Sequence, residues 1–305
     1  MIKKLIITCC SMLVLSGAAI GQNFEMNISD PSSKTIEIQL TRANIFISGQ
    51  KENKLKLMSD FEQGQVPARA AGLSPLRPNM ATDNTGYGVD VTEVNSIIYI
   101  KEATSQQLNV NLILPENIRL VIKPASWQAG NISVKDFKGE IEAKSNNSDM
   151  QLLNVSGPVV ASAVNADIEI VFKEINTEKP SAVSNISGFI DVTWPFGAGA
   201  DFKLTNLSGE TYTNFKMEVV EERHFGPDTP DKPAPPSPPT PPAKVGKAEG
   251  TAKANMEAAK ANIEALMPTL PAFTMGRGTF GKVNGGGVEI SLHSISGDIY
   301  LRKSK

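Results

Sequence analysis

From Thr35 onward, apolar and polar residues alternate in short runs. Ile36, Ile38 and Leu40 form one run, Ile45 and Ile47 a second, Leu55 and Leu57 a third. A period of two predicts strands with one buried and one solvated face. Gly49 and Asn53 sit between the last two runs as turn residues. Further on, NLILPENIRLVI from Asn111 predicts two strands joined by a tight Pro-Glu-Asn turn. From Asn131 the runs become short and regular: NISVKDF, GEIEAKS, DMQLLNVSG, PVVASAVNADIEIVF, AVSNISGFIDVTWP, FKLTNLSGETYTNF.

One phrase recurs at the ends of these runs: Asn or Ser, an aliphatic residue, then Ser-Gly. It begins at Asn154, Asn185, Asn206 and Ser294. The turn positions Gly139, Asp149, Gly157, Asp167, Gly188 and Gly209 fall 10, 8, 10, 21 and 21 residues apart. A unit of about 10 residues doubled to about 20 predicts an all-β chain wound as a single-stranded β-helix or β-solenoid. About 230 residues at about 20 per coil gives about eleven rungs and a rod near 50 Å. The ends of such a rod expose unpaired edges, so caps are required. The proline-bearing stretch Gly64–Thr85 and a helix later in the chain are the candidates.

That helix belongs to an interruption. Gly226–Pro242 is proline-rich and cannot donate ladder hydrogen bonds, which predicts an extended spacer. In Lys247–Met267, Ala252, Met256, Ala259, Ile263, Leu266 and Met267 share one helical face, and Pro268 ends the pattern. The repeat resumes after Gly276, and its strands are expected to dock back as the final rungs. The organisation is therefore a repeat from 22 to 225, a proline-rich and helical insertion from 226 to 275, and closing strands from 276 to 305. Residues 1–21 predict a signal peptide: MIKK, then LIITCCSMLVL, then the small-residue stretch SGAAIG. The apolar run is too short for a stable membrane span. Cys9 and Cys10 raise lipidation as an alternative, but they lie inside the apolar run, and both leave with the signal. The mature chain has no thiol, which excludes disulfides.

The net charge of −2 over 305 residues argues against nucleic acid, which selects a basic excess. Aromatics at 6% make stacking platforms scarce. The two histidines, His224 and His293, are far apart with no cysteine between them, so no metal site is expected, and His293 is expected to face solvent. Asp167, Glu169, Asp191 and Asp298 follow turns at outward positions, without accompanying Arg or Lys clusters, as a solvated face would. The Asn-x-Ser triplets at Asn131, Asn154, Asn185 and Asn206 coincide with the repeat, which assigns them to corners rather than to glycosylation. Gly285–Gly287 lacks the Lys-Ser/Thr of a phosphate loop and predicts a tight turn into a strand. Trp127 and Trp194 could offer sugar-stacking faces, and Trp194, at a strand end before Pro195, equally fits a capping core contact.

ANIFISG from Ala43, NLILPENIRLVI, GEIEAKS from Gly139, SGFIDVTWP from Ser187 and NGGGVEISLHSISGDIYLRK from Asn284 together resemble the bacterial putative-adhesin family. The resemblance implies a right-handed β-helix-like domain in the cell envelope, with no catalytic residue to transfer. The expectation is an exported, periplasmic or surface protein of a bacterium. It is non-enzymatic, without cofactor or metal, and binds or scaffolds an envelope protein or polysaccharide. Two alternatives remain: a polysaccharide-active enzyme using the carboxylates, and a protein that tethers a partner through the proline-rich segment.

Overall fold

The computed structural model describes residues 23–64, 68–70, 73, 81–123, 130–225 and 276–304. The signal segment, Trp127 and the whole 226–275 insertion with its predicted helix lie outside the described residues. Among the described residues the chain forms two large mixed sheets, with strands numbered in chain order. The first runs β1 (Phe24–Asn27), β4 (Lys54–Ser59), β7 (Leu108–Pro115), β3 (Ala43–Gln50), β9 (Ile132–Lys135), β11 (Met150–Val155), β13 (Ile168–Phe172), β15 (Ile190–Trp194), β21 (Ile299–Lys303), β17 (Thr211–Thr213). The second runs β18 (Glu218–Phe225), β19 (Gly276–Val283), β16 (Ala200–Asn206), β20 (Val288–Ser296), β14 (Ser181–Ser187), β12 (Val159–Asn165), β10 (Ile141–Ser145), β8 (Arg119–Ile122), β2 (Thr35–Gln39), β6 (Ile97–Glu102), β5 (Val89–Val94).

From β6 to β17 successive strands alternate between the sheets, as β2/β3 and β20/β21 do, so each such pair contributes one rung. Ile168 lies opposite both Met150 and Ile190, which puts parallel neighbours 18 and 22 residues apart. Parallel sheets usually have both faces covered and read as continuous apolar runs. Here the sheets bury only the faces turned toward each other, and the alternation survives. Ile36 and Ile38, Ile168 and Ile170, and Ile190 and Val192 are all buried in one core. Burying each such side chain is worth roughly 1.5–3 kcal/mol.

Among the described residues eight parallel strand pairs stack, where about eleven rungs were expected, because part of the chain is spent on antiparallel strands at the ends. β4 and β1 extend one end of the first sheet and β5 the same end of the second, while β19 and β18 extend the other end of the second. Part of the proline-bearing stretch does cap an edge. Asn84 donates from Nδ2 to the Val91 carbonyl (2.9 Å) and accepts from the Val91 N–H (2.9 Å), filling the free side of β5.

The rung order departs from the chain order at both ends. β2 and β3 stand between β6/β7 and β8/β9, and β20 and β21 stand between β14/β15 and β16/β17. The resumed repeat is therefore interior, not final. The four-residue connection Asn284–Gly287 makes this possible by carrying the chain from one side of β16 to the other. Asn284, Gly285 and Gly286 all have positive φ there, as the glycine run requires.

The recurring phrase occupies two different corners. NVSG ends β11 and leads into the second sheet, with Asn154 at φ 57° in a bulge. The other three copies end β14, β16 and β20 and lead back to the first sheet. At that corner Ser145, Ala163, Asn185, Ser294 and Asn206 are register partners in a buried column. Each polar member has a local acceptor: Asn185 Nδ2 donates to the Ala166 carbonyl (2.7 Å), Asn206 Nδ2 to that of Gly297 (3.0 Å), and Ser294 Oγ to Gly297 (2.8 Å). Corner chemistry thus accounts for the Asn-x-Ser triplets at Asn185 and Asn206.

Candidate binding surface

The acidic residues singled out from sequence gather on the outer side of the first sheet and at its corner. Asp149, Asp167, Phe189, Asp298 and Glu210 succeed one another just before β11, β13, β15, β21 and β17. Three of these carboxylates hold the next rung. Asp149 accepts from the Asp167 N–H (3.0 Å), Asp167 from that of Phe189 (3.1 Å), and Asp298 from that of Glu210 (2.9 Å). They are corner ties, each satisfying an amide that the turn would otherwise leave open.

The next outward column reads Gln151, Glu169, Asp191, Tyr300, Tyr212 across five rungs. Asp191 is not without a cation, contrary to expectation. Arg302 donates from Nε at 2.9 Å and pairs through Nη2 at 2.8 Å, a bidentate contact across 111 residues of sequence. That carboxylate raises the Arg302 guanidinium further above its already high value. Arg302 is half exposed, so the pair stabilises by at most about 1 kcal/mol; its value is in fixing geometry. Glu169 accepts from Gln151 at 3.3 Å.

Aromatic rings continue this column. Tyr300 and Tyr212 stack with centroids 5.4 Å apart and planes 12° from parallel, and Phe189 meets Tyr300 edge-on at 6.1 Å. Arg302 lies 5.4 Å from the Tyr300 centroid. The Tyr300 hydroxyl donates to Asp298 Oδ2 (3.0 Å), and this bond to a carboxylate raises the phenol above its usual value. At the far end of β21, Lys303 Nζ sits 3.9 Å from the Phe196 centroid. Phe189, Tyr212 and Phe196 are 37%, 51% and 71% exposed. The scarcity of aromatics in the composition hid this cluster. The signal was local: Asp191, Tyr212 and Tyr300 each stand three residues after the glycine of a Ser-Gly phrase.

Trp194 is a core residue and not a stacking face. It is 2% exposed, packs edge-on against Phe172 (5.6 Å) and Phe202 (5.2 Å), and donates from Nε1 to the Ala198 carbonyl (2.9 Å). Among the described residues no group of three or more metal-ligating side chains occurs, and no helix is long and apolar enough to cross a membrane.

His293 lies on the outer face of the second sheet, between Ser184 and Thr205, but it is half-buried rather than open to solvent. Burial holds its imidazole below the ordinary value of 6.5. A depressed histidine favours the neutral form, so its contribution is complete above pH 6.5 and is lost as pH falls through the folded value. Thermal melts from pH 7.5 down to about 5 should therefore show a larger drop in Tm for the native chain than for His293→Gln. Parallel curves would refute the assignment.

The class that the fold defines is an all-β protein of two mixed sheets. No family model and no curated protein matches the chain. A solved structure described as a putative cell adhesion protein from Clostridium sporogenes ATCC 15579 is similar to it at 13% identity and a TM-score of 0.37, over 93% of this chain and 100% of that one.

Proposed function

We propose that this chain is an exported, non-enzymatic β-solenoid that acts as an adhesin-like binding or scaffolding protein of the bacterial cell envelope. The observation that carries this reading is the outer face of β15, β21 and β17, where exposed Tyr212 stands near the Asp191–Arg302 ion pair and exposed Phe189 and Phe196 flank the two ends of β15. Apolar surface left on rigid strands and rimmed by charge is the usual mark of a contact surface. The solenoid path is supported by the alternation between sheets from β6 to β18 and by the 18- and 22-residue registers.

The chemistry of the carboxylates also favours binding over catalysis. Asp167 and Asp298 each commit an oxygen to the next rung, and Asp191 commits both to Arg302. A glycosidase-type pair instead needs two carboxylates free to face one bond. Cell fractionation with surface-protease digestion, followed by binding of purified residues 22–305 to envelope preparations, tests the reading. Recovery in the envelope fraction with saturable binding is expected. Cytoplasmic recovery, or turnover of polygalacturonate into shorter products, would overturn it.

A further inference from the structure

Tyr212 stands on the last strand of the first sheet among the described residues. One face of its ring stacks on Tyr300, and among the described residues the opposite face has no further rung to meet. The position is rigid from behind. Tyr300 is held by Asp298 through its hydroxyl, by Phe189 at its edge and by Arg302, which Asp191 fixes in turn. A ring with one supported and one open face, on a strand rather than a loop, is preorganised for stacking.

The strand and its entry carry polar groups on either side of Tyr212 in the chain. Glu210 is exposed next to the strand, and its N–H is engaged by Asp298, which leaves its carboxylate at the surface. In the parallel pairing, the Glu210 carbonyl and the Asn214 N–H bond to β21. The slanted pattern of a parallel ladder therefore turns the N–H and C=O groups of Thr211 and Thr213 the other way, along the free edge. An apolar face bordered by acceptors and backbone donors matches the two sides of a sugar ring. One side of an equatorially substituted pyranose is C–H, and its hydroxyls lie in the ring plane.

Charge narrows the class. Glu169, Asp191, Asp298 and Glu210 outnumber Arg302 and Lys303, which disfavours uronic-acid polymers and phosphate-bearing chains. A partner protein strand is the weaker occupant, because β17 offers only Thr211–Thr213, too short an edge for stable augmentation. Resting on the binding role proposed above, we infer that the open face of Tyr212, backed by Tyr300 and bordered by Glu210 and the free edge of β17, stacks on a neutral, equatorially hydroxylated pyranose of an envelope glycan.

Titration of purified residues 22–305 with cellohexaose and chitohexaose, with polygalacturonate as the acidic comparison, tests this. At least one neutral oligosaccharide should bind. Tyr212→Ala should weaken it about tenfold, the loss of one good aromatic contact, while Tyr212→Trp should retain or improve it. Tyr212 is half exposed, so both variants should melt within a few degrees of the parent. Binding unchanged in Tyr212→Ala, preference for polygalacturonate, or no binding of either neutral oligosaccharide while envelope binding persists would each overturn the glycan site and leave the envelope role standing. Loss of envelope binding as well would overturn both.

Discussion

A Gly297→Ala protein should unfold about 10 °C below its parent, from a cost of about 3 kcal/mol spread over the whole stack. A Cβ at Gly297 would lie 2.0 Å from the Gly188 carbonyl oxygen, and backbone cannot move aside as a side chain can. The same contact repeats along the corner. A Cβ on Gly209 would lie 2.1 Å from the Gly297 carbonyl, and one on Gly188 2.4 Å from that of Ala166. Gly297 also has φ +152°, so conformational strain and collision add. Gly285 separates the two effects. Its φ is +86° with nothing within 4 Å of the added atom, and Gly285→Ala should cost only about 1 kcal/mol. Thermal denaturation of both variants, followed by circular dichroism, checks the difference. Equal melting of the two would show that crowding between rungs is not what the corner glycines relieve.

The second large effect is expected at Trp194. Its ring joins Phe172 to Phe202, and Phe202 in turn lies 6.3 Å from Phe215, which packs partly against the core. Trp194→Ala removes the largest buried side chain of the described core and one of the two donors to the Ala198 carbonyl, the other being Asn284 Nδ2, at about 4 kcal/mol and a fall in Tm of about 10 °C. Trp194→Phe keeps an aromatic ring between Phe172 and Phe202 but loses the indole N–H and part of the buried ring volume, so about 1–2 kcal/mol is expected. If the alanine variant melted within about 3 °C of its parent, Trp194 would not be a keystone of the core.

Much of the local structure was legible from residue types alone. The alternation of Ile36 with Ile38, or Ile168 with Ile170, depends only on one face being buried, and each pair lies on a strand. The corner role of Asn185 and Asn206 was legible because a short amide is what a turn in that phase needs. The order of the rungs was not legible. Alternation shows that a strand has a partner without saying which one, and β20 offers the same inward spacing to β14 and to β16. The Asp191–Arg302 pair escaped for the same reason, since its members meet only because β21 lies beside β15. The end caps were legible in part. The need for them followed from the open edges, and Asn84 meets it on β5, but the antiparallel strands that do most of the capping read like any other alternating run.

Intercalation of β2/β3 and β20/β21 has a consequence for how the molecule assembles. A simple stack grows by adding each newly made rung to the one before, and losing the last rung leaves the rest intact. Here the rung built from residues 288–303 must slot between two that precede it in the chain. β16 and β17 therefore have no lasting neighbour on their inner side until the far end of the chain is present. Assembly becomes a closing step with long sequence separations, of the kind that slows folding and makes it cooperative. A break in either intercalated coil leaves a gap one rung in from the end of the ladder instead of a shorter ladder. The two ends of the stack are in this sense latched, each by a piece of chain drawn from elsewhere.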